Sequence, residues 1–113
     1  MTSTSTVDHS EWTSLLDRLT KDHEGEYVTI EIVDPTIGDN PEAERLPFQY
    51  AAYDYKDDVA FVVVGGKAPR YPVALRHMVA HPTDVTATMD PPAVRVVDHD
   101  GTATIVSFFT APS

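Results

Sequence analysis

The chain has 113 residues, 42% of them hydrophobic, no cysteine, and a formal net charge of −10 at pH 7. These values indicate one folded domain and exclude disulfides, zinc–thiolate sites and cysteine nucleophiles. The excess of carboxylates argues against general nucleic-acid binding, because phosphate backbones carry the same sign of charge. No apolar run approaches the roughly 20 residues that span a bilayer, and the N-terminus lacks the basic and apolar parts of a signal peptide. We therefore expect a cytoplasmic protein without membrane contact.

One helix is predicted near the start of the chain. Asp8 and Glu11 have the N-cap and N3 spacing of a capping box, which marks a helix start. The apolar residues that follow recur at i, i+3, i+4 and i+7, so they form one stripe: Trp12, Leu15, Leu16 and Leu19. Gly25 is expected to end the helix, since glycine readily adopts the left-handed conformation found after a last turn.

The apolar period then changes from helical to strand-like. Val28, Ile30 and Ile32 alternate with a second set of side chains, which predicts a strand with one buried face. Residues 34–45, with the sequence DPTIGDNPEAER, contain two prolines, a glycine and several acidic side chains. This composition predicts an exposed loop.

The stretch 46–66 is predicted to form the central hairpin of a sheet. Its second arm, residues 59–64, is the most hydrophobic run in the chain and shows no alternation, so both of its faces are expected to be covered. Residues 54–58 are expected to form the turn, in which the Asp57–Asp58 pair is solvated. The two glycines that follow the second arm are expected to break the strand.

The second half of the chain predicts further short strands. Residues 73–80 alternate between two sets of side chains, although the ALRHMVAH segment also has the length of two helical turns. Pro82 is expected to stop this strand. The other predicted strands are 85–89, 94–97 and 104–109. The DHDGT sequence at 98–102 predicts a hairpin turn, since Asp-Gly suits the positive φ angles that such turns need.

These elements together predict an α+β domain. It consists of an N-terminal helix packed on a mainly antiparallel sheet of five to seven short strands, in a form that could curl into a small open barrel. The domain is expected to cover residues 8–110, after a disordered tail at 1–7 made mainly of Ser and Thr.

Four stretches of the sequence carry a family resemblance. They are EWTSLLDRLTKDHEG, LPFQYAAYDYKDDVAFVV, LRHMVAHPTDV and DHDGTATIVSFF. Together they resemble the family catalogued as domain of unknown function 5335 (DUF5335), over about residues 10–109. The resemblance implies a small bacterial-type domain that stands alone and has no assigned activity, and it carries no catalytic residue onto this sequence.

The histidines and aspartates predict no metal site, and no cofactor is expected. His77 and His81 are four residues apart, which on a strand places them roughly 13 Å from each other, too far to share an ion. The segment 98–100 is interpreted as part of a turn, because a calcium-binding loop needs a longer acidic pattern. The glycines at 65 and 66 precede Lys67 without the spacing of a phosphate-binding loop.

The charge pattern, by contrast, indicates a binding surface. Residues 59–83, the acid-free segment, contain no Asp or Glu and carry a charge of +3, which leaves −13 on the rest of the chain. We hypothesise that this segment forms a basic face that binds an unknown protein or a small anionic ligand. Its candidate binding residues are Lys67, Arg70, Tyr71, Arg76, His77 and His81.

The leading hypothesis is therefore a non-enzymatic binding or interaction protein. The first alternative is a small metal-dependent or hydrolytic enzyme that uses His77 or His81 with carboxylates from the 34–44 segment. The second alternative is a structural domain that self-assembles as a homo-oligomer through an uncovered sheet edge, for which the strand at 104–109 is the candidate.

Overall fold

The structure is a computed structural model. It describes residues 9–34, 36, 38–67 and 71–110, with the backbone alone at 9–10, 38–44, 67 and 71–73. The predicted disordered tail at 1–7 and the predicted N-cap residue, Asp8, lie outside the described residues.

One helix and seven strands make up the described chain. In chain order they are α1 (His9–Asp22), β1 (Tyr27–Asp34), β2 (Gly38–Asp54), β3 (Val59–Lys67), β4 (Tyr71–Ala80), β5 (Pro82–Met89), β6 (Pro92–Asp98) and β7 (Ala103–Phe109). The strands form one sheet in the order β4-β3-β2-β1-β7-β6-β5, and every neighbouring pair is antiparallel. The predicted α+β class is confirmed, and residues 73–80 form a strand rather than a helix.

The helix α1 covers one face of the sheet, which we call the inner face. Three residues of its predicted apolar stripe are buried in the core: Trp12, Leu16 and Leu19. The fourth, Leu15, is partly buried and packs against the core. The Trp12 ring meets the ring of Tyr53 edge to face, with centroids 5.3 Å apart. The Thr20 hydroxyl accepts a hydrogen bond from the Ala51 N–H at 3.0 Å. These contacts join α1 to β2. Among the described residues, no helix is long and apolar enough to cross a membrane.

The predicted loop at 34–45 is wrong, because most of it is strand. Gly38 already pairs with Asp34, so β2 begins at Gly38 and runs antiparallel to β1. In the short connection, the Thr36 N–H donates a hydrogen bond to Asp34 Oδ1 at 2.7 Å. Pro41 is tolerated in β2 because this part of the strand pairs with β1 alone, and β3 joins only further along. Pairing with β1 therefore outweighs the loop-like composition.

The side-chain alternation of β2 is interrupted at Gln49. Phe48 and Tyr50 lie opposite consecutive residues of β3, so Gln49 is the extra residue of a β-bulge. As a consequence, Phe48 faces the core while Tyr50 is exposed, and the buried set continues with Ala51 and Tyr53. The bulge thus decides which side of the first hairpin arm faces the helix.

The predicted strand break at the glycine pair is also wrong. β3 continues through Gly65 and Gly66 to Lys67. Both glycines have positive φ angles, 80° and 71°, and the pairing of β3 with β4 shifts register between Gly65 and Lys67. The side-chain amide of Gln49 donates to the Gly65 carbonyl. Two residues of β4, at 72 and 73, therefore stand opposite Gly66 in a β-bulge, and β3 continues past it.

The sheet is curled, but it is not closed into a barrel. Its two edge strands, β4 and β5, follow each other in the chain through the single residue His81 and are not neighbours in the sheet. The curl brings the inner face of β4 over β7, where His77 Nε2 lies 3.3 Å from Thr104 Oγ1. β7 itself lies between β1 and β6, so the prediction that the strand at 104–109 is an uncovered edge is wrong.

The bulge at Gly66 gives a first testable prediction. A Cβ atom at Gly66 would lie 3.2 Å from the Ala74 Cβ and 3.3 Å from Gln49 Nε2, and the φ angle is +71°. Gly25 has a comparable φ angle of +84° with nothing within 4 Å. We expect Gly25→Ala to lower the free energy of unfolding by about 1 to 2 kcal/mol, the backbone cost alone.

Gly66→Ala should lower the free energy of unfolding by about 2 to 4 kcal/mol, because the steric contacts add to the backbone cost. Urea denaturation of the two variants and the wild type measures the difference. Equal losses in the two variants would show that the close approach at Gly66 has no energetic effect.

Candidate functional site

The predicted binding residues do not share one surface. Arg76 points away from the helix side of β4, and its guanidinium lies 5.5 Å from the centre of the Phe61 ring. His77 follows directly in the strand and therefore faces the inner side, where it meets Thr104. His81 lies at the junction of β4 and β5 and is exposed. The side chains of the other three predicted residues, Lys67, Arg70 and Tyr71, lie outside the described residues.

Arg76 belongs to a group of large side chains that we call the outer face: Tyr50, Phe61, Arg76 and Met78. Because directly opposed residues of antiparallel strands share a face, the register places Tyr50 in one row with Arg76, and Phe61 in the next row with Met78. Tyr50 is 42% exposed and Met78 is 56% exposed. Since α1 packs on the opposite side, these aromatic and apolar groups are accessible to solvent beside a guanidinium.

A cavity lies where the sheet fails to close, and we call it the seam groove. It has a volume of about 330 Å³ and runs between β4 and the turn that joins β6 to β7. Imidazoles, two carboxylates and hydroxyls line it together with apolar side chains, among them Ile32, His77, Asp98, His99, Asp100 and Thr104. Thr104 is only 3% exposed. The groove can therefore hold a ligand through hydrogen bonds and apolar contact.

The wall of the groove opposite β4 is the predicted hairpin turn at 98–102, which is confirmed. Asp98 Oδ1 accepts hydrogen bonds from the backbone N–H groups of Asp100, at 2.9 Å, and Thr102, at 3.0 Å. Gly101 has a φ angle of +87°, as this turn requires. Asp98 is thus engaged in shaping the turn, while His99 and Asp100 project from it.

The junction between β4 and β5 is held by a chain of polar contacts that we call the corner cluster: Tyr53, Asp58, His81 and His99. The Tyr53 hydroxyl donates to Asp58 Oδ1 at 2.6 Å, and Asp58 Oδ2 lies 3.2 Å from His81 Nδ1. The His81 N–H also donates to the Asp58 carbonyl at 2.7 Å. The rings of His81 and His99 meet edge to face, with centroids 5.6 Å apart.

Asp58 is the residue of this corner whose contacts the sequence interpretation missed. It was expected to be solvated in the turn with Asp57, yet it holds Tyr53 and His81 together. Asp58 and His81 both have left-handed backbones, with φ angles of 54° and 53°. A positive φ angle is uncommon outside glycine and is tolerated best by Asn, Asp and His. The contact to His81 joins residues 23 positions apart in the chain, so no local pattern signals it.

The environment of Tyr53 changes its titration. Burial raises the pKa of the Tyr53 phenol to about 12, and the hydrogen bond to Asp58 acts in the same direction. The negative charges of Asp58 and Asp54 add to this effect, because a phenolate would be repelled by them.

Metal binding has little support in the described part of the chain. There, no group of three or more His, Asp or Glu side chains is arranged to hold a metal ion. The side chains of 38–44, which supply most carboxylates of the enzyme alternative, lie outside the described residues.

A second groove, of about 360 Å³, lies between α1 and the β5–β6 hairpin. Leu15, Leu19 and Met89 line it together with His23. The His23 ring stacks on Phe108 at 4.0 Å, and its Nδ1 lies 2.7 Å from Glu26 Oε1. Of the predicted binding residues whose side chains are described, Arg76, His77 and His81, none lines this groove, so we place the candidate site at β4.

Comparisons with known proteins give a family but no activity. The model described as "Family of unknown function (DUF5335)" matches residues 3–113. An "Uncharacterized protein" of Aquifex aeolicus (strain VF5) is 28% identical over 106 residues, which cover 91% of this chain and 89% of that protein. No solved structure matches the chain significantly.

The raised pKa of Tyr53 predicts a loss of stability at alkaline pH. The folded state holds the phenol proton more tightly than the unfolded state, whose pKa is 10.0. This contribution is complete below pH 10 and is lost as the pH rises towards 12, by about 2 to 3 kcal/mol. Tyr53→Phe should remove this part of the pH dependence. Urea unfolding of both proteins across that interval measures it, and equal slopes against pH would contradict the assignment.

The corner cluster predicts that the two adjacent aspartates differ in importance. Asp58→Ala leaves the buried Tyr53 hydroxyl without this acceptor and removes the contact to His81, so the free energy of unfolding should fall by about 1 to 3 kcal/mol. Asp57→Ala, at the exposed neighbouring position, is the matched control and should change it by less than about 0.5 kcal/mol. Thermal unfolding of both variants tests this. A similar loss in both would mean that the cluster does not stabilise the corner.

Proposed function

The chain belongs to the DUF5335 family of unknown function, and we propose that it is a non-enzymatic domain that binds an acidic segment of a partner protein through β4. The described backbone places five of the candidate binding residues on β4 or next to it. Arg76 and His77 are in the strand and His81 follows its end, while Lys67 pairs with Tyr71 at its start.

The charge distribution is the observation that carries this proposal. β4 lies in the middle of the acid-free segment, which carries +3 in a chain whose net charge is −10. An acidic partner approaching most of this chain meets repulsion, whereas near β4 it meets the exposed guanidinium of Arg76. Charge complementarity therefore favours β4 as the place where an acidic segment docks.

The exposed apolar side chains around β4 support the same conclusion. Met78 of β4 is 56% exposed, and Tyr50 lies two strands away on the same outer face. Tyr, Met and Arg are enriched in the buried cores of protein interfaces. A surface that combines them provides apolar area for affinity and one cation for orientation.

The chemistry of the seam groove favours binding over hydrolysis. Its imidazole–hydroxyl pair is formed by His77 and Thr104, at 3.3 Å. The Thr104 side chain is buried, so its oxygen is a poor nucleophile for an incoming substrate, which must reach within about 3 to 3.5 Å of the attacking atom.

Charge reversal at Arg76 tests the proposal. An octapeptide of alternating Glu and Thr serves as the probe, and its affinity is measured by calorimetry. Arg76→Glu should weaken binding by about tenfold, since an attraction becomes a repulsion. Arg95→Glu is the matched control, because Arg95 is also exposed on a strand of the sheet but lies on β6.

The control variant should bind the peptide like the wild type. An equal loss for Arg76→Glu and Arg95→Glu would reduce the effect to net charge and contradict recognition at β4. Displacement of the peptide by inorganic phosphate, added at the same concentration of negative charge, would indicate a small-anion site instead.

A further inference from the structure

We propose that the acidic partner segment binds as an additional β-strand along the open edge of β4, with alternate side chains entering the seam groove. This inference rests on the proposed function, because it specifies how the segment is held. It also gives the seam groove a role in binding, whereas docking on the outer face alone would not involve the groove.

The edge of β4 offers unpaired backbone groups. Within the described chain, β4 has β3 as its one neighbour in the sheet. In an antiparallel ladder, alternate residues direct their N–H and C=O groups to opposite sides, so about half of those in β4 point away from β3. An extended peptide can satisfy these groups without any change in the sheet.

A cavity lies beside this edge. Met78, Val79 and Ala80 of β4 form one wall of the seam groove, and the turn at 98–102 forms the other. Neighbouring strands lie about 4.8 Å apart, so an added backbone would lie at the mouth of this cavity of about 330 Å³. Side chains of the added strand that point inward would enter the cavity.

The sequence of β4 also lacks most of the devices that protect natural sheet edges. Charged side chains, prolines and bulges commonly prevent a foreign strand from pairing. From Ala74 to Ala80 the strand contains no proline or glycine, and Arg76 is its one residue of the Lys, Arg, Asp and Glu types. The pairing of this stretch with β3 is regular, without a register shift. It can therefore accept a strand over several residues.

The two faces of β4 select different side chains of the partner. Outward side chains would lie beside Arg76 and Met78, which favours acidic residues there. Inward side chains would meet His77, Asp100 and the turn that contains Asp98, where a carboxylate is repelled. The expected ligand is an extended peptide in which acidic residues alternate with uncharged polar or basic residues.

Amide hydrogen exchange followed by NMR tests this binding mode. In the free protein, β4 amides that pair with β3 should exchange slowly, and the alternate amides should exchange fast. The Glu–Thr octapeptide at saturation should slow the fast set by at least about tenfold, since exchange then requires the peptide strand to separate. An octapeptide of the same sequence with alternate backbone nitrogens methylated is the control, because it keeps the side chains but loses the donors.

The outcomes separate this inference from the proposed function. Binding that depends on Arg76 but leaves the fast β4 amides unchanged would overturn strand addition while the acidic-partner proposal stands. Absence of any binding would overturn both. Slow exchange of the same amides without peptide, increasing with protein concentration, would show that a second copy of the chain occupies the edge and would also overturn the inference. Equal protection by the methylated peptide would contradict backbone pairing.

Discussion

The contact between Asp58 and His81 fixes the place where the sheet changes direction, and the rest of the surface depends on it. Two hydrogen-bonding contacts, one through the Asp58 carbonyl and one through its carboxylate, join the end of the first hairpin turn to the single residue between β4 and β5. Because both residues have left-handed backbones, the chain turns sharply there. β4 therefore stays with β3 while β5 continues with β6, and the seam groove lies between β4 and the turn at 98–102.

Local patterns predicted most of the fold because they act over a few residues. The helical stripe that begins at Trp12 and the alternation of Val28, Ile30 and Ile32 both correspond to buried faces. Errors occurred where pairing between distant segments outweighs composition. β2 extends into the proline-containing stretch 34–45 because β1 pairs with it. β3 continues through Gly65 and Gly66 because β4 remains paired with it on both sides of the bulge.

The arrangement of the candidate site could be predicted only in part, for a related reason. The absence of carboxylates from residues 59–83 is visible in the sequence and points to the β3–β4 region. Whether Arg76 and His77 act together depends on strand alternation, and the structure places them on opposite faces. Tyr50 lies in the same row as Arg76 only because β2 pairs with β3 and β3 pairs with β4. The role of Asp58 depends on His81, which is remote in sequence, so composition and spacing carry no sign of it.

An open sheet edge, an acid-free strand and a cavity beside it coincide at β4, and the proposed role in binding rests on this coincidence. Amide chemical-shift mapping of the labelled protein with the Glu–Thr octapeptide tests that assignment most directly. The account predicts that the shifts cluster on β4, on the outer face around Phe61 and on the turn at 98–102. Shifts confined to the groove between α1 and the β5–β6 hairpin, or spread evenly over the protein, would contradict it.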